Sequence, residues 1–237
     1  MVSWPNSWSS PPKLTDRKGA RKMFQPLHER AYVHLKGMIE RGELVPGEIY
    51  SETKLAQMLG MSRTPLREAL TRLEQEKIVQ TIPSKGFVIH ELTMEDLQET
   101  FQVRAALEGY AITLLAKAHN TPEGIQVIRR LEELIAEQRR VMETTRDPNE
   151  FAEVDREMHK TIVDFVHNAS FDQIFAHHLY RIKAFAVRSF AYPGRLDETL
   201  REHSEILESV KAGNTEAAYS AVLKHMEGPV KIIAKLM

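Results

Sequence analysis

The sequence predicts a mainly α-helical protein in two parts, an N-terminal winged helix-turn-helix and a C-terminal all-α helical bundle. Three observations carry this. Apolar residues recur at helical spacing up to about residue 76. Two short β-type runs then follow around a Pro-Ser-Lys-Gly tip. From Thr93 onward strand signals give way to long amphipathic stretches separated by turn residues.

In the first part, Ala31, Leu35, Met38 and Ile39 share one face of a helix from about Pro26 to Arg41, which Gly42 ends. Pro46-Gly47 makes a turn. Ser51 caps a short second helix that faces Leu55 and Leu59 inward, and Gly60 breaks the chain. Ser62 is the predicted N-cap of a third helix. That helix tolerates Pro65 in its first turn and buries Leu66, Ala69, Leu70 and Leu73. Ile78-Val79 and Phe87-Val88-Ile89 read as the two strands of a wing. In the second part, helices are predicted at about 94–118, 122–144, 149–167, 170–190, 195–212 and 215–235. The expected organisation is a disordered basic arm over 1–24, a winged helix-turn-helix over 25–92 and the bundle over 93–237.

Composition narrows the function classes. The 237 residues include no cysteine, which excludes disulfides and thiolate metal sites and fits a cytoplasmic setting. No apolar run is long enough to span a membrane, and the N-terminus lacks the continuous apolar core of a secretory signal. The net charge of −1 hides an asymmetry: 14 Lys and Arg face 9 Asp and Glu up to His90, and 18 face 24 beyond it. A basic N-terminal third on an acidic body suggests that a polyanion meets the N-terminal part. Lys13, Arg17, Lys18, Arg21 and Lys22 in the arm are candidates for phosphate contact, against the alternative of a solvated tail.

The spacing from Leu55 to Leu73 suits a helix pair whose second member enters the major groove of DNA. Ser62, Arg63 and Thr64 stand at that helix's N-terminus, where short hydroxyls and backbone N–H groups suit phosphate oxygens. Arg63 and Arg67, four residues apart, project from one face and can fork guanine or clamp phosphate. Lys85 and Gly86 at the wing tip suit minor-groove or phosphate contact. Spacing alone also admits an ordinary three-helix fragment with surface arginines.

The segments Pro46-Gly47, Ser51-Glu52-Thr53-Lys54-Leu55-Ala56, "SRTPLREAL" over 62–70, and Gly86-Phe87-Val88 resemble the winged helix of GntR-family regulators over about residues 27–91. The resemblance implies that Ser62, Arg63, Thr64, Arg67, Lys85 and Gly86 meet operator DNA. Thr53 departs from the pattern, since many relatives carry an arginine there. Lys77-Ile78 replaces the more usual Gly-Leu.

Ten histidines are present. Three of them form a pattern with one aspartate. Asp155 and His159 are i and i+4 on one helix. His203 lies about 10 residues before the Gly213-Asn214 turn and His225 about 11 after it, so an antiparallel pair of helices brings them level. Such a set suits Zn²⁺, or Ni²⁺ or Mn²⁺ with waters completing an octahedron. The alternative is four separate polar residues in a bundle.

Val103 to Glu108, Asp155-x-x-x-His159, Glu202-His203 with Ile206, and Ala217-Ala218 with His225 resemble the FCD ligand-binding domain of the FadR subfamily. The resemblance implies a divalent metal on Asp155, His159, His203 and His225, a homodimer, and a small-molecule effector, with carboxylates common among similar proteins. Asn168 to Phe171 departs from the family's usual Ser-Gly-Asn. Arg104 and Arg181 are candidate effector residues, because an arginine beside a metal grips a carboxylate bidentately. The alternatives are an ion pair with Glu108 for Arg104 and a surface position for Arg181. A metalloenzyme and a non-specific DNA-packaging protein are the competing functions. Nucleophile elbow, phosphate loop and HExxH motifs are all missing from the sequence.

Overall fold

A computed structural model describes residues 26–236. The predicted arm and its five basic residues lie outside them. The chain divides between Glu91 and Leu92 into two compact units.

The first unit contains α1 (Leu27–Glu40), β1 (Ile49–Tyr50), α2 (Glu52–Met58), α3 (Arg63–Gln75), β2 (Val79–Ile82) and β3 (Gly86–Ile89). The predicted apolar faces of α1 and α3 are buried. A polar knot joins the two helices at their edge. The Tyr32 hydroxyl donates to Glu76 at 2.8 Å, Lys36 Nζ donates to Glu76 at 3.0 Å, and the Arg72 guanidinium covers the Tyr32 ring.

After α3 the chain turns at Lys77 with φ 52°, where Ile78 N–H returns to the Leu73 carbonyl. That positive φ is why a glycine is usual there, and Lys77 holds it with some strain. The turn also moves the strand start from the predicted Ile78 to Val79. The sheet is antiparallel with order β1-β3-β2, and Tyr50 pairs with Phe87. The sequence reading missed β1, because a two-residue strand offers no alternation to detect. At Gly86 (φ 136°) a Cβ would lie 2.0 Å from the Tyr50 carbonyl oxygen, so this glycine is demanded by strand packing.

The second unit contains α4 (Met94–Lys117), α5 (Pro122–Glu143), α6 (Pro148–Asp164), α7 (Ala169–Phe190), α8 (Arg195–Lys211) and α9 (Thr215–Leu236), all within a few residues of their predicted bounds. Side chains of Thr93, Thr121, Asp147 and Asn168 cap α4 to α7. Thr93 and Asp96 form a reciprocal capping box. α4 packs on α9, α6 lies between α5 and α7, and α8 lies between α5 and α9. Leu97, Ile112, Leu115, Leu131, Met158, Ile162, Phe185, Ile206 and Val222 make the main core. Among the described residues no helix is long and apolar enough to cross a membrane.

Candidate metal centre and nucleic-acid interface

In the first unit, Ser62 stands at the N-cap of α3 with extended backbone, yet its side chain makes no cap hydrogen bond. The predicted capping contact is therefore absent, and the hydroxyl lies exposed beside Arg63 and Thr64. Arg63, Arg67, Lys85 and Gly86 line one cleft of about 530 Å³, together with Ser51 and Glu52. One acidic side chain shapes it. The Glu52 carboxylate accepts from Arg67 Nε at 2.8 Å and lies 3.7 Å from Arg63 Nη2.

In the second unit, Asp155, His159, His203 and His225 are all buried, and one ligand atom from each lies within 4.8 Å of the others. Each sits on the inward stripe of an amphipathic helix. The Asp155 carboxylate is 3.5 Å from His159 Nε2 and 3.4 Å from His203 Nε2, while the Nε2 atoms of His159 and His225 are 3.2 Å apart. Ligands around a first-row ion at about 2.0–2.1 Å are spaced at roughly this separation.

Each imidazole is held from behind through Nδ1. His159 meets Glu108 at 2.5 Å, His203 meets Gln138 at 2.8 Å and His225 meets Glu202 at 2.7 Å. Such partners fix ring orientation and leave Nε2 facing inward. The carboxylates are themselves anchored. Arg104 Nε donates to Glu108 at 2.8 Å, and Arg195 forks Glu202 at 2.9 and 2.8 Å.

Burial and charge act together on these groups. Burial pushes Glu108 up, but Arg104 and His159 overcome it and hold the carboxyl at about 2. Asp155 is likewise held well below the usual carboxylate range, because His159, His203 and Arg104 outweigh desolvation. Burial holds His203 well below its ordinary value and also lowers His225. For His159, burial is outweighed by Glu108 and Asp155, so its value rises. Two buried atoms, Asp155 Oδ1 and His203 Nε2, lack a hydrogen-bond partner in this structure. A cation accepting both lone pairs would remove that cost, so the donor set fits a divalent metal.

Comparisons with known proteins cover both units. A family model described as bacterial regulatory proteins of the gntR family matches residues 27–89, and one described as the FCD domain matches 99–228. An uncharacterized HTH-type transcriptional regulator of Bacillus subtilis, YdhC, is 32% identical over 84% of this chain and 88% of its own length. The chain belongs to the GntR family and carries an FCD domain.

Other relatives are named for the same work. The gluconate operon transcriptional repressor of Bacillus licheniformis is 29% identical over 76% of this chain and 71% of its own. The solved structure of Escherichia coli McbR/YncC superposes with a TM-score of 0.72 at 25% identity, covering 90% of this chain and 99% of that one. This GntR protein is accordingly a DNA-binding transcriptional regulator and not an enzyme.

The two candidate effector arginines have different surroundings. Arg104 makes the ion pair with Glu108 that its i+4 spacing allows, and its Nη2 remains buried without a partner in this structure. Arg181 is buried, not at the surface, and its partners are Asp96 at 2.8 Å and Glu99 at 3.2 Å on α4. These ion pairs brace the capped start of that helix. Sequence reading also passed over Glu108, Gln138, Arg195 and Glu202 as supports of the Asp155, His159, His203 and His225 cluster. Each was detectable as a polar residue on an otherwise apolar helical stripe.

Proposed function

We propose that this regulator is a ligand-responsive homodimer whose FCD domain holds one divalent metal on Asp155, His159, His203 and His225. The observation that carries this reading is the buried quartet with its two orphaned ligand atoms. Zn²⁺ suits the four ligands alone, and Ni²⁺ or Mn²⁺ suits them with added waters. When bound, the ion would offer a Lewis-acidic position to a carboxylate oxygen of a small organic acid. The chain's own part is to orient three imidazoles through Glu108, Gln138 and Glu202, so that each Nε2 faces the ion. Arg104 contributes the free Nη2 as a second grip on that carboxylate. A relative named for a gluconate operon, gluconate being a sugar acid, is in keeping with such an effector.

Ser62, Arg63, Thr64 and Arg67 at the start of α3 read the major groove, and Lys85 and Gly86 on the wing meet the backbone or minor groove. Two copies would read a two-fold-related operator. Since an effector shifts an equilibrium only by its differential affinity, it must bind one arrangement of the dimer better than the other. No membrane partner is invoked, and the setting is cytoplasmic.

The test begins with duplexes selected by the protein from a random pool, followed by titration with a panel of carboxylates in metal-loaded protein. At least one carboxylate should change operator affinity by about five-fold or more, the lower end of ordinary coupling. It should fail to do so in Arg104→Met. Equal operator affinity with every acid in the panel would contradict the effector assignment.

A further inference from the structure

In a protein that meets a polyanion, a carboxylate on the reading face is a liability, because it repels phosphates. Glu52 is such a group. It lines the cleft with Arg63, Arg67 and Lys85. Its side chain is only 15% exposed, whereas those of Arg63 and Arg67 are 52% and 58% exposed. The acid therefore sits behind two arginines that reach outward.

The contact geometry gives this placement a use. Arginine has five N–H donors arranged around a planar fork. Glu52 takes the Nε side of Arg67, at 2.8 Å, and stands 3.7 Å from Arg63 Nη2. With Nε occupied, the outer edge of the Arg67 guanidinium is left to face a ligand. That edge is the one that forks O6 and N7 of guanine. An arginine without such a brace is long and mobile, and it takes the nearest phosphate whatever the sequence.

We infer that Glu52 is a specificity-determining positioning residue: it holds Arg67, and through charge Arg63, in the orientation that reads bases, and its negative charge weakens sequence-independent binding. This rests on the reading that α3 enters the major groove. Glu52 also stands in the first turn of α2, where an acid suits the positive helix end, so its test must separate positioning from simple charge. Glu74 provides the separation. It lines the same cleft, but its carboxylate accepts from Thr81 N–H at 2.8 Å and from the Thr81 hydroxyl at 3.1 Å.

The experiment uses the full chain, a duplex that the wild type selects from a random pool, and a scrambled duplex of equal length. Dissociation constants are measured over a salt series for the wild type, Glu52→Gln and Glu74→Gln, with thermal unfolding of each. Removing either charge should tighten scrambled binding and steepen the salt dependence by up to about one unit of slope. Only Glu52→Gln should lower the selected-to-scrambled ratio, by about ten-fold, the scale of losing one guanine fork. Glu52→Asp keeps the charge but withdraws the brace by one methylene, so it should lower the ratio without steepening the slope. An unchanged ratio in both Glu52 variants, or an equal fall in Glu74→Gln, would overturn the proposal. A wild type that selects no sequence would overturn the groove-reading assignment, and the proposal with it.

Discussion

Gly228 has no side chain because the Arg195 guanidinium occupies the place where one would be. A Cβ built there would fall 2.6–2.7 Å from three guanidinium atoms. Arg195 is fully buried and forks Glu202, whose other contact is Nδ1 of His225. A methyl on α9 should therefore be felt at His225, the proposed ligand one helical turn away. Gly228→Ala is expected to weaken metal affinity by roughly 10–100-fold, the range for loss of outer-shell partners, as read by chelator competition. Arg195→Met should do the same and also cost about 3–5 kcal/mol in urea unfolding, since it strands the buried Glu202 carboxylate. Full metal affinity in both variants would show that the fork does not hold His225. In the other unit, Gly86→Ala should lower stability by more than about 1 kcal/mol, because it needs a positive φ and meets the Tyr50 carbonyl.

At the scale of elements, the start of α4 is tied both by its own cap and by a second helix. Thr93 and Asp96 cap each other, and Arg181 from α7 binds the same Asp96 and Glu99. Arg181→Ala leaves a nearly buried carboxylate without its cation and is expected to cost about 3–5 kcal/mol. Amide exchange should rise most in the first turn of α4. Protection unchanged there would mean that the capping box suffices alone.

The helices themselves were legible from periodicity and turn residues, because most bury one stripe and are bounded by Pro, Gly, or a Ser, Thr or Asx residue at the cap. The clustering of the four polar residues was legible for a related reason: Asp155 and His159 share a face at i and i+4, and the turn at Gly213-Asn214 brings His203 and His225 level. Partner choice was legible only where it is local. The Arg104–Glu108 pair follows from i+4 spacing, whereas Arg181 is drawn to Asp96 and Glu99 on another helix, which only packing decides. β1 and the φ of Lys77 were hidden for a simpler reason, because they follow from closing the wing and leave no periodic trace.

At the scale of the whole molecule, the buried charges set a pH response for the metal-free chain. His203 and His225 have lowered values in the folded state, so the unfolded chain takes up protons first, and stability falls as pH drops below about 6.5. Glu108, held at about 2, contributes stability that is present above about 4.5 and is lost as pH falls toward 2. His159 acts in the opposite direction. Its raised value gives stability that is complete below about 6.5 and disappears as pH rises through the folded value. Thermal unfolding in chelator should therefore peak near neutrality, and Glu108→Gln should lessen the loss in the most acidic window, leaving the share that Asp155 contributes. A melting temperature flat from pH 7 to pH 3 would contradict these assignments.

The central claim is that the FCD domain is built around a metal. Metal content of the purified protein, for the wild type and for His203→Ala, tests it most directly. The account predicts one divalent ion per chain in the wild type, after loading with Zn²⁺ or Ni²⁺ if necessary, and its loss in the variant. No bound metal in the wild type after loading, or equal content in both proteins, would contradict it.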